Sequence, residues 1–284
     1  MKSEQLAWLI KRHGIEMTHI SHGSHIGSIL SVADIVAVLY NDVANITPEN
    51  LNDENRDRIV LSKGHAGAAI YAALAEKGFF PVEELKTHYS DGSRLSGHVS
   101  HKGIPGVEIS TGSLGHGACM ACGIALNAKI EKMPYYTYTI VGDGECDEGS
   151  IWEMALFANH FKLNQFVVIV DHNKMQSLDY CENTLALSPF AEKWKAFGWN
   201  VFDIDGHNHN ELRNALNDAK KSVDKPTVII ANTVKGNGIS FMENDILWHY
   251  RFPHDGEEYN GALEELHAVM PEGVVDPYTE EVAK

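Results

Sequence analysis

Cysteine is scarce in this chain and cationic side chains are in deficit. Four cysteines (Cys119, Cys122, Cys146, Cys181) among 284 residues do not make a disulfide scaffold, and their scarcity points to a reduced, cytoplasmic protein. Lysine and arginine number 23 against 39 aspartates and glutamates, a formal net charge of −16. No basic stripe offsets that balance, which argues against nucleic acid as a partner. An anionic small molecule stays compatible, because a local site can be basic within an acidic protein. No apolar run approaches the length of a membrane span. The polar start, Met1 to Gln5, leads into an amphipathic helix and reads as no secretory signal. Cys119 and Cys122 form a C-x-x-C, but no second pair completes a zinc site. Their Gly/Ala-rich surroundings (Gly115 to Ala128) read as close helix packing, with a redox role as the alternative.

Apolar content of 44% and charged content of 22% are those of an ordinary globular protein, and the length suits one large α/β domain. Periodicity predicts helices over Leu6–Ile20, Ser31–Tyr40, Ala66–Glu76, Val82–Tyr89, Gly115–Glu131, Ser150–Phe161, Phe190–Phe197 and Asn210–Lys221. The second of these is expected to start on Ser31-x-x-Asp34 as a capping pair. Strands are predicted over Arg58–Leu61, Tyr136–Val141, Phe166–Val170, Asn200–Ile204 and Thr227–Ala231. Such alternation predicts a mostly parallel sheet with helices on both faces, in a single domain spanning residues 1–284. Ligands then bind beyond the carboxyl ends of the strands. The Gly/Ser/His-rich stretch from Asp91 to Gly112 is too long and polar for an idle connection.

Candidate chemistry collects at that edge. Val141-Gly142-Asp143-Gly144-Glu145 follows one predicted strand, and Val170-Asp171-His172-Asn173-Lys174-Met175 ends the next, placing Asn173 thirty positions after Asp143. A carboxylate and a carboxamide so placed suit a hard divalent cation shared with a diphosphate, since Mg²⁺ takes few protein oxygens beside phosphate and water. The Met175 carbonyl would complete the protein's share, with Ca²⁺ or Mn²⁺ able to replace Mg²⁺. The alternative is a plain turn beside a polar loop residue. Glu148 opens the helix after this loop, where the macrodipole alone would favour a carboxylate. Glu153 could face a neighbouring chain. His25, His65, His98 and His249 each lie in a glycine- or tryptophan-flanked segment predicted to reach the same edge, as a cluster able to bond sugar hydroxyls and move protons. Zinc competes for such residues, but no His/Cys ligand spacing supports it.

Taken together, Gly142-Asp143-Gly144 through Asn173, Leu61-Ser62-Lys63-Gly64-His65 and Ser110-Thr111-Gly112-Ser113-Leu114-Gly115-His116-Gly117 resemble the N-terminal, diphosphate-binding half of transketolase, a thiamine-diphosphate enzyme. The likeness runs from about Leu6 to Tyr259. It implies the thiamine-diphosphate PP-domain fold. By the same resemblance, Asp143, Asn173 and the Met175 carbonyl would hold Mg²⁺, while Gly112, Ser113, Leu114, Gly144, His65 and His249 would contact thiamine diphosphate. His25, His98 and His249 would line the substrate channel. Glu148 would match the family's buried glutamate, which pairs across a dimer interface. His116, Val99 and Ile26 depart from the family pattern, as does Tyr250-Arg251-Phe252-Pro253-His254. We expect Arg251 or His254 to help select the sugar or its terminal anion.

Full transketolases add a pyrimidine-binding domain, whose glutamate protonates the cofactor ring, and a C-terminal domain. Since this chain stops at Lys284, the resemblance implies a split enzyme, an α₂β₂ assembly with a separate C-terminal subunit. The implied reaction moves a two-carbon ketol unit from a ketose phosphate to an aldose. Alternatives are a subunit of a deoxyxylulose-phosphate synthase or 2-oxo-acid dehydrogenase, or a non-catalytic cofactor-binding partner.

Overall fold

Five short strands with apolar residues on both faces form the centre of the molecule, seen in a computed structural model that describes residues 1–279. They are β1 (Arg58–Leu61), β2 (Thr137–Gly142), β3 (Phe166–His172), β4 (Asn200–Asp205) and β5 (Thr227–Asn232), all parallel, in the order β1-β2-β3-β5-β4. β3 carries buried residues at every position from Phe166 to Asp171, as a parallel strand covered on both sides must. β4, at the edge, is only half buried.

Side-chain alternation along the strands sorts the core into two layers. Ile59, Tyr138, Ile140, Val167, Ile169 and Ile229 belong to the layer of α1 (Ser3–Ser21), α2 (Ile26–Val38) and α3 (Gly67–Glu76). Val60, Val141, Phe166, Val168, Val170, Val228 and Ile230 face the opposite layer, α4 (His116–Ile130), α5 (Gly149–His160) and α7 (Phe190–Ala196), the short α6 (Cys181–Thr184) lying between β3 and α7 in the chain. α8 (His209–Ala219) and α9 (Glu257–Ala268) join the first layer through Leu212, Leu216, Ala262 and Leu266. Cys119, Cys122, Cys146 and Cys181 are free thiols. Burial pushes the Cys122 thiol up to about 12, so the C-x-x-C is packing between α4 and α5 and holds no ready thiolate.

Several expectations are corrected. α2 starts at Ile26, with His25 as N-cap in the left-handed region (φ 78°). Ser31 and Asp34 therefore lie inside the helix and cap nothing: Ser31 donates to the buried Asp171, and Asp34 is taken up by Lys11, His207 and His209. With its π-helical continuation Leu39–Val43, α2 gives an 18-residue stretch apolar enough to cross a membrane, contrary to the reading of the sequence, but 83% of it is buried inside the protein. Val82–Thr87 is a 3₁₀ helix. α9 has no counterpart among the predicted helices, because only Ala262 and Leu266 are buried along it and two apolar positions give no visible period.

Asp34 ties this scaffold to the edge of the sheet. Its Oδ2 accepts from Lys11 Nζ at 3.2 Å and from His207 Nδ1 at 2.8 Å, and its Oδ1 meets His209 Nε2 at 3.1 Å. His207 Nε2 in turn accepts the Val234 N–H at 2.9 Å, fixing the loop after β5. Burial opposes ionisation of Asp34, but Lys11 and the two histidines outweigh it and hold the carboxyl well below its ordinary 3.8. A carboxyl with a lowered native value stabilises the fold fully above its unfolded value and loses that contribution as pH falls towards the native one. Asp34→Ala should therefore lower stability by about 3–5 kcal/mol at pH 7, the usual penalty for stranding a buried ionic partner. In urea titrations, the gap from wild type should narrow as pH drops below 3.8. A gap independent of pH would mean that the ionised carboxylate is not what stabilises the fold.

Candidate active site

A cleft of about 240 Å³ opens where the chain leaves β1, β2, β3 and β5, at the carboxyl edge where parallel sheets bind ligands. Residues following each of these strands enter it: Lys63 and His65 after β1, Asp143 to Glu145 after β2, Asn173 and Met175 to Ser177 after β3, and Lys235 after β5. His25, at the start of α2, and Ser28 on its first turn complete one wall, and His98, His249 and Tyr250 another. Gly64 permits this closeness, since a Cβ there would lie 2.4 Å from the Thr111 carbonyl oxygen. With that contact made, Val99 N–H reaches Gly64 O at 2.9 Å, and the polar 91–112 loop swings His98 to the cleft.

The predicted histidines converge. The His25 ring centroid lies 5.1 Å from His65, 5.6 Å from His98 and 5.0 Å from His249, and His65 lies 5.8 Å from His249. Burial, then neighbouring charge, lowers His25 to about 4 and His249 to about 3. His65 and His98 are lowered by burial as well. All four are neutral imidazoles near pH 7, each with one donor and one acceptor nitrogen. The Lys235 ammonium, which can only donate, sits 2.8 Å from His249 Nδ1, so that nitrogen accepts and Nε2 carries the proton.

Asp143 and Asn173 meet at one corner. Asp143 is 1% exposed, and its two oxygens accept from Gly144 N and Lys174 N. Burial raises its carboxyl above the ordinary range, with the charge of Asp171 adding to the effect. Asn173 donates from Nδ2 to Ser31 Oγ (3.4 Å) and Asp171 Oδ2 (3.3 Å), leaving Oδ1 to accept from Met175 N at 3.1 Å. The described residues hold no group of three or more His, Cys, Asp or Glu side chains placed for a metal. One carboxylate with amide-type oxygens is instead the donor set of a hard cation that takes its other ligands from phosphate and water. The cleft residues therefore fit a divalent ion bound together with a diphosphate.

Other expected residues lie apart from this cleft. Glu148 is exposed, at the N-cap of α5 with no side-chain capping bond. The buried glutamate of the segment is Glu145, whose oxygens accept from Ser62 Oγ, Gly115 N (2.8 Å) and Gly142 N (3.1 Å). Glu153, Ser113 and His116 are exposed, whereas Gly112 and Leu114 line the cleft. Ile26 and Val99 are buried core residues. Arg251 is committed to Glu258 and to the Trp248 ring, 5.1 Å away, and His254 is exposed, its ring against Phe252. The residue of that segment that reaches the cleft is Tyr250.

Sequence reasoning missed Lys63, Lys235 and Asp171. Asp171 is wholly buried and accepts from Lys63 Nζ, Thr233 Oγ1 and Ser31 Oγ. Burial opposes its ionisation, but Lys63 and the hydroxyls hold it below the ordinary carboxylate range. Lys235 is 1% exposed, forms none of the structure's ion pairs among the described residues, and is lowered to about 8 by burial and then by Lys63. Its Nζ also approaches the Met175 and Gln176 carbonyls at 3.5 and 3.3 Å. The missed signal was a charge ending an apolar strand, which cannot be buried without a partner.

Comparison with known proteins gives these features a setting. Residues 3–250 match the family described as transketolase, thiamine diphosphate binding domain. The 6-deoxy-6-sulfo-D-fructose transketolase subunit of Clostridium sp. (strain MSTE9) is 45% identical over 225 residues, covering 79% of this chain and 82% of that protein. An apulose-4-phosphate transketolase subunit of Actinobacillus succinogenes is 42% identical over 248 residues, 86% of this chain and 88% of that one. The crystal structure of transketolase from Campylobacter jejuni superposes with a TM-score of 0.86 at 31% identity, covering 93% of this chain but 42% of that chain. The present chain thus spans about two fifths of that enzyme's length and most of the subunits' length. Built on this sheet and these motifs, the chain belongs to the transketolase family, as its thiamine diphosphate-binding portion.

Proposed function

We propose that the chain is the N-terminal subunit of a two-subunit transketolase, binding thiamine diphosphate through a divalent cation and acting on a ketose donor with a terminal anionic group. The observation that carries the reading is the convergence of four neutral histidines with the Asp143–Asn173 corner in one cleft. The relatives named as subunits are matched over most of their length, which supports a separate partner chain bearing the pyrimidine-binding domain. Their names, a sulfosugar and a sugar phosphate transketolase, support a donor with an anionic end. Four free thiols suit a cytoplasmic setting.

Each part of the cleft has a task in this reading. Asp143, Asn173 and the Met175 carbonyl would hold Mg²⁺ against the diphosphate, and Lys235 would supply the cation that Lys63, paired with Asp171, does not. Thiamine diphosphate, when bound, supplies the electron sink for breaking the bond beside the donor's carbonyl. His25, His98 and His249 orient the donor's hydroxyls and hold or release protons there, as neutral imidazoles can near pH 7. Glu148, exposed on this chain, is the residue we assign to contact with a second chain.

Binding and turnover both test the assignment. In calorimetry, thiamine diphosphate should bind the two-subunit complex only with a divalent cation present, and chelator should abolish binding reversibly. Asp143→Ala should weaken it by more than the roughly 10–100-fold that a change behind a metal ligand costs. Ketol transfer should require both subunits, and full activity of the isolated chain would defeat the proposal. Lys235→Ala, which removes a charge-assisted contact worth about 1.5–3 kcal/mol, should weaken cofactor binding roughly 10–100-fold. An unchanged affinity would remove Lys235 from the diphosphate site.

A further inference from the structure

Behind the histidine cluster, two buried ring nitrogens find no hydrogen-bond partner among the described residues: His25 Nδ1 and His88 Nε2. Both residues line one small cavity of about 40 Å³, shared with Ser24, Tyr89 and His98. His88 comes from the segment just after the Val82–Thr87 turn and is 3% exposed. It lies outside the cofactor cleft.

The protonation of His88 follows from its neighbour. The single proton of the Ser21 hydroxyl goes to the Met17 carbonyl at 2.6 Å. Ser21 Oγ can then only accept, and it does so from Gly23 N at 3.1 Å and from His88 Nδ1 at 3.4 Å. Burial lowers the His88 imidazole to about 4, so it is neutral near pH 7. Its one proton is on Nδ1, and Nε2 is a bare, buried acceptor on a residue that lines the cavity. No donor among the described residues answers it. A polar cavity above roughly 10–15 Å³ admits water when two or more polar groups can bond it, and here the space is lined by Ser24 and by the two histidines whose ring nitrogens are unpartnered.

We propose that His88 is a positioning residue: it holds a water in this cavity, and through that water fixes the His25 ring that faces the cleft. The water donates one hydrogen to His88 Nε2 and bonds His25 Nδ1 with its other side, so the hydrogen bond at Nδ1 decides the state of the opposite nitrogen. His25 already has a fixed backbone, since its N–H donates to the His249 carbonyl at 3.0 Å; the water removes the remaining freedom of the ring. The catalytic consequence rests on the reading that His25 handles the donor's hydroxyls, whereas the water itself does not.

Separate measurements address the water and its catalytic consequence. A crystal structure of the full chain should show an ordered water within hydrogen-bond distance of both nitrogens. Its absence would overturn the proposal whatever the variants do. In solution, His88→Phe, which keeps a ring of similar size, should shift the imidazole ¹⁵N resonances of His25, assigned with His25→Gln. His88→Gln, which keeps a polar group, should restore them in large part. In the two-subunit enzyme, His88→Phe should lower kcat about fivefold, the loss of one modest hydrogen bond, with thiamine diphosphate affinity unchanged and His88→Gln between the two. Unmoved His25 resonances in His88→Phe, or a glutamine variant no better than phenylalanine, would overturn it. An ordered water and shifted resonances in a complex without ketol transfer would sink the functional reading and leave this one in place.

Discussion

The ion pair of Asp171 with Lys63 is the constraint from which the cleft is built. Both side chains are at most 1% exposed, and ions so placed lose several kcal/mol of hydration that geometry must offset. Asp171 is compensated by four donors, from Lys63 after β1, Ser31 on α2, Thr233 after β5 and Asn173 after β3. Each donor belongs to a different element. Satisfying one carboxylate therefore sets the relative positions of four chain segments at the sheet edge, and those segments carry the cleft.

That same carboxylate determines what Asn173 can do. Its Nδ2 donates to two acceptors, Asp171 and Ser31, so the amide cannot be reversed without placing oxygen against oxygen. Oδ1 is consequently the atom presented beside Met175 and Asp143. The buried pair also divides labour between two lysines. Lys63 is neutralised in place, so Lys235 is the cleft cation whose charge is not spent on a carboxylate. The Asp34 cluster, reaching Val234 through His207, holds the loop from which Lys235 extends.

The sheet was legible in the sequence because each strand is an apolar run with branched residues, and strand ends moved by only a residue or so. Asp143, Asn173 and the four histidines were legible for a related reason: polar residues close to glycine or tryptophan, or where an apolar run ends, seldom serve packing alone. Ser31 and Asp34 misled because the same residue types cap helices and satisfy buried charges, and only the tertiary partners decide between the two. Glu148 and Glu145 are three residues apart, and nothing local says which one turns inward; the choice is made by the Ser62, Gly115 and Gly142 donors that converge on Glu145. Arg251 looked available for a substrate anion, but Glu258, on a helix without a visible period, claims it. Long-range partners, unlike periodicity, leave no mark on a local window.

The charge states of the cleft explain why imidazole and ammonium are combined in it. On the proposed reading a diphosphate calls for fixed positive charge, which Lys235 would provide. Hydroxyls call for groups that donate and accept in turn, which protonated histidines cannot do, having only donors. Burial, and after it the nearby charge of Lys63 and Lys235, lowers His25, His65 and His249, so the lysines themselves help to keep the histidines neutral. An anion bound at Lys235 would relax that repulsion, and the rings would then bind protons more readily than before. On the proposed reading, occupation of the diphosphate end would in this way be coupled to the proton affinity of the histidines assigned to the donor's hydroxyls.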